Sequence, residues 1–512
     1  MCRLEKGKAT MSMATTSANG GAVEKIFVRK FPTHRNPHLD KWVSWWLIQL
    51  YGSCRYTGLA SAELDFCGHI APMNDAEFDR LGLAPIGIGY SRLDEHLPNG
   101  ARIPEECSAT LTAKWLNLRG KTDLEPLLEE VEYFDSNTGA SLRHLSELIK
   151  VATRRMDNPI LLYRAWIKPA LDAIHDSLIL GLNRRAGIRS VVSEWNRVKD
   201  KILHKNFVPD PKAREEIETY ILSMLKGSDS VYKRGLDDPS RRSVTNLAYI
   251  LNAMYQNGNP DEDTREWSLF AFSKMVEDQM DFFECLKICE KTETFPIQTR
   301  VWGKDKVIRG IIVQGDRPNL LKAARHKNGG DAQVVIKLGS SGNVIQVDQG
   351  VPGITLRWVA RMIRWYELPK DRFGKLLDND TDLQSLSNPG THPKVQNWYY
   401  FAKGEQFFNG CDTHSATPTR IHVWALQEIL MFGFDGDLSW EWFKIHQPSE
   451  QSHYNPRRTI KIRAKRTERL TEHLLKPAPE KSDRTVQDEG IQIEAIAPPD
   501  ERGLEQEVFQ GK

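Results

Sequence analysis

Residues 33–40 read Thr-His-Arg-Asn-Pro-His-Leu-Asp, between a short apolar run, Ile26-Phe27-Val28, and an apolar segment that begins at Trp42. This context places His34, His38 and Asp40 on the turn between a first β-strand and a first α-helix. Pro37 keeps Asn36 out of helical geometry, so the imidazoles sit on a loop rather than along one helical face. Loops at the carboxyl ends of strands are where open α/β sheets bind ligands and ions. Two imidazoles and a carboxylate within seven residues of such a loop therefore read as part of a metal site. His and Asp are also ordinary turn residues, and the cluster alone leaves that reading open.

Three further acidic sites follow in similar surroundings. Asp65 lies in the strand-like run Ala62-Glu-Leu-Asp-Phe-Cys, which ends at Gly68. Asp94, Glu95 and His96 follow Ile86-Gly-Ile-Gly, and Asp135 closes the run Val131-Glu-Tyr-Phe-Asp before a Ser-Asn-Thr-Gly turn. Strand, acid, then glycine or turn, with helical stretches between, is the rhythm of a parallel sheet presenting carboxylates along one edge. Each acid taken singly also suits a helix cap or a turn.

The order and spacing of these motifs over residues 25–150 resemble the DHH-superfamily phosphoesterases. That group includes family II inorganic pyrophosphatases, RecJ-like nucleases, oligoribonucleases and a eukaryotic exonuclease group marked by His-x3-His-x-Asp. Here the first motif stands as His34-Arg-Asn-Pro-His38-Leu-Asp40, the second as Asp65, the third as Asp94-Glu95-His96 and the fourth as Asp135. The resemblance implies two divalent metals, with Mn²⁺ ranked first and Mg²⁺, Co²⁺ or Zn²⁺ as alternatives. It implies His34, His38 and Asp65 on the first metal, and Asp40, a bridging Asp65, Glu95 and Asp135 on the second. His96 becomes the catalytic histidine at the phosphoryl group and Asp94 the residue that orients its neighbours. Such a pair activates a water for in-line attack on phosphorus.

Two positions depart from the pattern. Glu95 replaces a histidine, and Lys41 follows Asp40 where the exonuclease group commonly carries an acid. Lys41 has three readings: a phosphate contact, a partner for a ligand carboxylate, or a side chain facing water on the first helical turn. The last is preferred, because lysines are usually solvated. The Gly-Gly-Gly-His substrate motif has no clear counterpart; Asn328-Gly-Gly-Asp331 is nearest and looks like a turn.

The chain has 512 residues, 40% apolar and 27% charged, with a net charge of +2. These values predict a globular protein of two or three domains without a global basic field. No apolar run approaches the ~18–20 residues needed to cross a bilayer, so no membrane partner is expected. Seven scattered cysteines suggest reduced thiols in a cytoplasmic protein, with Cys285 and Cys289 as core thiols on one helical face.

The expected organisation is α/β. Residues 1–24 form a disordered lead-in, 25–155 a parallel-sheet DHH-like domain, and 156–294 a helical connecting region. Residues 295–445 form a second, smaller α/β domain, and 446–512 a basic, then acidic, disordered tail. Val334–Leu338 and Asn343–Val347 flank the turn Gly339-Ser-Ser-Gly-Asn and predict a hairpin. Phe407 to Thr419 reads as a loop before a helix at Ile421–Met431, with Asp412 and His414 in a structured turn. Arg317, Lys322 and Arg325 form a candidate phosphate-contacting patch, or simply a solvated helix face. The fourteen tryptophans either stack bases or pack the core, and packing is the commoner role. The basic run Arg457–Arg469 suits nucleic acid or a localisation signal.

The function expected from these features is two-metal hydrolysis of a phosphodiester or phosphoanhydride in a short oligonucleotide or nucleotide. The rival is a catalytically silent protein that binds nucleotides or nucleic acid on the same frame. Oligomeric state is left open by the sequence.

Overall fold

The structure, a computed structural model, describes residues 25–446 apart from 68–69, 98–101, 138–140, 157, 182–187, 205–206, 302–303, 341, 371–375, 378–380 and 411–415. The expectations for the two termini and for Asp412 and His414 lie outside the described residues. The chain is a mixed α/β protein. No helix among the described residues is long and apolar enough to cross a membrane.

The first elements are β1 (Ile26–Phe27), β2 (Lys30–His34), α1 (Leu39–Tyr51), β3 (Tyr56–Thr57) and β4 (Glu63–Cys67). β1 pairs with β3 and β2 with β4, both in parallel. On the other side of β2 the chain at 82–86 runs alongside, bridging Lys30 to Leu83 and donating from Ile86 N to the Pro32 carbonyl. Parallel pairing needs crossovers between strands, and α1 supplies the first. Every residue from Leu39 to Ile48 is buried, as expected for a helix covered on all sides. Trp45 packs on Phe31 of β2 and Trp42 on Phe66 of β4. On its far side Trp42 stacks on Tyr163, and Trp46 Nε1 donates to Asp172 at 2.9 Å.

The next helices are α2 (Asp75–Arg80), α3 (Ser108–Trp115), α4 (Glu125–Ser136) and α5 (Leu145–Thr153). α4 contradicts the strand expected at Val131–Asp135. Pro126 sits in its first turn, where a missing N–H costs nothing. Leu127, Leu128 and Val131 share a buried face at helical spacing, and the apolar run is the inner stripe of a helix.

Residues beyond are helical as expected: α6 (Pro159–Leu162), α7 (Lys168–Leu180), α8 (Val191–Ile202), α9 (Pro211–Asp237), α10 (Leu247–Gln256) and α11 (Asp261–Glu290). One apolar core runs from Val28 to Val276, so these helices and the parallel strands share a single interior. Glu130 of α4 clasps them together. Its carboxylate accepts from the Ser243 hydroxyl, from Val244 N at 2.7 Å, and from Thr245 N and Oγ1 at 2.9 Å each.

The second lobe carries β5 (Thr294–Val301), β6 (Lys304–Gln314), α12 (Leu320–Arg325), β7 (Val334–Leu338), β8 (Asn343–Val347), α13 (Arg357–Glu367), β9 (Gly390–His392), β10 (Val395–Phe401), β11 (Gln406–Asn409), α14 (Val423–Gly433) and α15 (Gly436–His446). Its seven strands run in the order β5-β6-β7-β8-β11-β10-β9, antiparallel except for β6 with β7. The hairpin of β7 and β8 has the predicted strands, with Leu338 opposite Asn343. β9, β10 and β11 were not anticipated. Phe407 to Asn409, read as loop, is strand paired to β8, and its buried Phe407 stacks on Trp398.

α13 and α14 cover one face of this sheet. The last turns of α11 and α12 cover the other, where Phe282, Cys285 and Cys289 meet Ile311, Val313 and Val335. α11 thus belongs to both lobes and fixes one against the other.

Candidate functional site

The end of β2 and the start of α1 deliver His34, His38 and Asp40 to the carboxyl edge of the parallel strands. The segment after Ile86 delivers Asp94, Glu95 and His96, and the last turn of α4 delivers Asp135. Carboxylate oxygens of Asp40, Glu95 and Asp135 lie within 4.8 Å of one another, and those of Asp94 and Glu95 lie equally close to a His96 ring nitrogen. The acids of motifs one, three and four and the His96 ring therefore converge, while His34 and His38 belong to neither group.

Asp65 does not join them. Parallel register sets His34 opposite Cys67 and Pro32 opposite Asp65, so Asp65 stands two residues short of the strand end. Its half-exposed carboxylate meets Lys30 Nζ at 3.5 Å. The position level with His34 belongs to the Cys67 thiol, and the bridging role expected of Asp65 has no geometric basis.

The centre of the cluster is occupied by Lys41. Its side chain is 6% exposed, and Nζ donates to Asp40 Oδ2 at 2.6 Å and to Glu95 Oε1 at 2.9 Å. The solvent-facing reading of Lys41 is corrected: its stem turns inward because Gly87 leaves room for it. Gly87 has φ +64, and a Cβ there would stand 2.4 Å from Lys41 Cε and 2.5 Å from Ser108 Oγ. Ser108, at the start of α3, donates to Glu95 Oε2 at 2.7 Å. Arg102 pairs with the Asp135 carboxylate and also reaches the Glu106 carbonyl. Two protein cations thus face the three carboxylates.

Burial sets the electrostatics here. It lifts the Asp40 carboxyl to about 7, helped by repulsion from Asp135 and only partly countered by Lys41. Burial also pushes Glu95 upward, but Lys41, His96 and the Ser108 hydroxyl outweigh it and hold Glu95 well below the carboxylate range. The ammonium of Lys41 is disfavoured by burial and rescued by Asp40, Glu95 and Asp135, so it stays charged. Burial, then Lys41, lowers His34 to about 4. The protein mass around His38, which is open to the cleft, together with Lys41 and Lys150, lowers that imidazole as well. His96 moves upward, chiefly through its 3.0 Å contact from Nδ1 to Asp94 Oδ1. Asp94 also accepts from the backbone N of Tyr90 and of His96, so it holds the His96 ring and backbone in place.

Neutral imidazoles and clustered carboxylates are good donors for a hard divalent ion, and Asp40 Oδ1 and His34 Nδ1 are buried without a partner. The two-metal arrangement nevertheless does not fit the residues present. Asp65 is absent from both sets, and the Lys41 ammonium already takes one oxygen each of Asp40 and Glu95, where an ion would have to displace or face it.

Two cavities flank the loop of the first motif. One, of about 740 Å³, is lined by His38, Asp40, Arg102, Asp135 and Lys150 and closed from the second lobe by Phe401 and Lys403. The other, of about 660 Å³, touches Asn36, Arg154 and Arg317. Arg317 lies there as an ion pair with Asp281 at 3.0 Å. Lys322 and Arg325 line neither cavity: Lys322 sits over the Phe282 ring, and Arg325 donates to the Leu321 carbonyl. The expected phosphate patch does not assemble as a unit. Arg102, Ser108, Lys150 and Lys403 were missed by sequence reading, which offers no local signal for them; Gly87, in Ile-Gly-Ile-Gly, was a visible clue.

No protein-family model, curated protein or solved structure matches the chain.

Two outcomes follow from this packing. Gly87→Ala should cost about 2–4 kcal/mol in urea denaturation, because strain at positive φ adds to displacement of Lys41. Gly120→Ala, at φ +81 with nothing within 4 Å of the added methyl, should cost only about 1 kcal/mol; equal costs would refute the role given to Gly87. His34 takes its proton at about 4 in the folded protein and near 6.5 when unfolded. Between those values the unfolded chain binds more protons, so His34 withdraws on the order of 2 kcal/mol of stability as pH falls from 6.5 to 4. His34→Gln should flatten that slope, and an unchanged slope would show that the imidazole is not held neutral.

Proposed function

We propose that this protein binds a phosphorylated ligand, a nucleotide or short nucleic acid, in the cleft between its lobes, and that it does so without two-metal hydrolysis. On this reading the N-terminal unit is a parallel-sheet frame of the DHH-superfamily kind. The observation that carries the proposal is Lys41, whose ammonium bridges Asp40 and Glu95 where the resemblance would set a metal. The carboxylates then serve to hold protein cations in place. Lys403 lines the second-lobe wall beside Phe401, whose ring is of the kind on which bases stack, and Lys150 stands on the N-terminal wall in an ion pair with Glu147. A cleft of about 740 Å³ is within the usual range for a small-molecule site; Arg102 is held by Asp135, and Glu105 and Glu132 share the lining, so Lys403 is the wall cation placed to meet phosphate oxygens.

A second reading, metal-dependent phosphoester hydrolysis, is favoured by two specific features. Asp40 Oδ1 and His34 Nδ1 are buried and unpartnered, and His96 beside Asp94 is shifted toward its charged form, as a group assisting a phosphoryl oxygen should be. Mn²⁺ remains the first ion to try.

The test is fluorescence anisotropy with a labelled five-nucleotide oligomer in EDTA, together with a hydrolysis panel in Mn²⁺. Binding in EDTA, weakened at least tenfold by Lys150→Glu with Lys403→Glu, and no turnover on any substrate is the expected result. Mn²⁺-dependent turnover that disappears in Asp40→Asn would establish hydrolysis instead. Neither binding nor turnover would reject both readings.

A further inference from the structure

We infer that the second cavity, on the other side of the loop at 33–40, is a separate binding site for a small phosphate monoester with an apolar body. It measures about 660 Å³ and opens where three parts of the chain meet. Asn36 comes from the loop, Arg154, Arg155 and Glu277 from the helices, and Asp316, Arg317 and Lys337 from the second lobe. The inference does not depend on the reading of the first cleft, with which this cavity shares no lining residue.

The balance of charge selects the ligand. Four acids and four cations line the cavity, and the acids are already engaged. Glu277 meets Arg155 at 3.2 Å and Lys274 at 2.9 Å, Asp281 meets Arg317 at 3.0 Å, and Glu284 meets Lys287 at 3.0 Å. Asp316 is stabilised as a carboxylate chiefly by Ser340, whose N donates to it at 2.7 Å, and less by the charge of Lys337. With Lys274 and Lys287, which stand outside the lining, six cations face these four carboxylates. Arg154 and Lys337 are left without an ion pair among the described residues. They belong to different lobes, so a ligand held by both bridges the lobes. A phosphate monoester carries about −1.5 to −2 charge at neutral pH, which matches two uncommitted cations, and arginine and lysine suit its oxygens.

Topology supplies a second, independent observation. β6 and β7 are the parallel pair of the second sheet, and α12 is the crossover between them. Open α/β sheets bind ligands in the crevice beyond the carboxyl ends of such strands. The cavity lies at that end: Asp316, Arg317 and Pro318 follow β6, and Lys337 is the penultimate residue of β7. Alternate strand residues share a face, so Lys337 stands with Val335 on the side that α11 and α12 cover. The remaining walls are apolar. Phe207, Met280, Pro318 and Leu321 are each only half-buried, which leaves their surface for the body of the ligand. α11 packs into the cores of both lobes, so the two sides of the cavity are held in place before any ligand arrives.

The probe is 1-naphthyl phosphate, titrated into the full chain in EDTA by calorimetry, with 1-naphthol and 1-naphthoate as the neutral and singly charged controls. In Lys403→Glu, which removes the wall cation of the first cleft, one equivalent of the phosphate should still bind. Arg154→Gln with Lys337→Gln in that background should weaken binding at least tenfold, and both controls should bind at least tenfold more weakly than the phosphate. Binding that disappears in Lys403→Glu, or that the double substitution leaves unchanged, would overturn the inference. So would either control binding as tightly as the phosphate. If the double substitution unfolds the protein, Arg154→Gln alone, at the exposed end of α5, carries the test. It should weaken binding at least threefold, and an unchanged affinity would again overturn the inference. Oligonucleotide binding in EDTA judges the first cleft separately, so either reading can fail without the other.

Discussion

One ammonium group buried among carboxylates organises this protein's N-terminal unit. Moving a lysine out of water is costly, and the cost is recovered only where geometry is good and every neighbouring lone pair finds a partner. Lys41 meets the first demand through two short contacts, to Asp40 and Glu95, while Asp40 Oδ1 stays without a partner. Neither carboxylate would tolerate the same interior alone. Removal of the ammonium would leave the buried Asp40 and Glu95 facing Asp135 without their shared counter-ion. The glycine at 87 and the serine at 108 are best understood as fittings around that ion pair.

The pair in turn depends on how α1 is held. A helix buried on every side from Leu39 to Ile48 has no freedom to rotate, so Asp40 and Lys41 enter the site at a fixed angle. The strands grip it through Phe31 and Phe66, and the helical region through Tyr163 and Asp172. Glu130 ties α4, and with it Asp135, to the segment at 243–245. α11 then carries the second lobe into position, bringing Phe401 and Lys403 over the cleft. The site is a product of long-range packing, and each wall comes from a different part of the chain.

That dependence explains what could be read from the chain in advance. The strand-to-helix turn at 33–40, the hairpin of β7 and β8, and the helices from 159 to 290 all follow from local periodicity and turn chemistry, and all are present. Asp135 was reached for a wrong reason: Val131 to Phe134 is apolar enough to pass for a strand, and only the buried spacing of Leu127, Leu128 and Val131 reveals a helix. Asp65 failed because strand register, which decides whether a side chain reaches the sheet edge, is set by pairing with β2 and not by the run itself. Lys41 failed because a lysine's burial depends on partners 54 residues away. The aromatic residues behaved as packing: Trp42, Trp46, Trp195, Trp398 and Trp442 are among the largest fully buried side chains.

The most direct measurement is the stability of Lys41→Met in EDTA, by urea denaturation at pH 7.5. Methionine keeps much of the stem's volume and removes the charge. If the ammonium is the counter-ion that assembles Asp40, Glu95 and Asp135, the substitution should cost about 3–5 kcal/mol, the usual penalty for leaving buried charges without a partner. A variant as stable as the wild type, or more stable, would contradict the account.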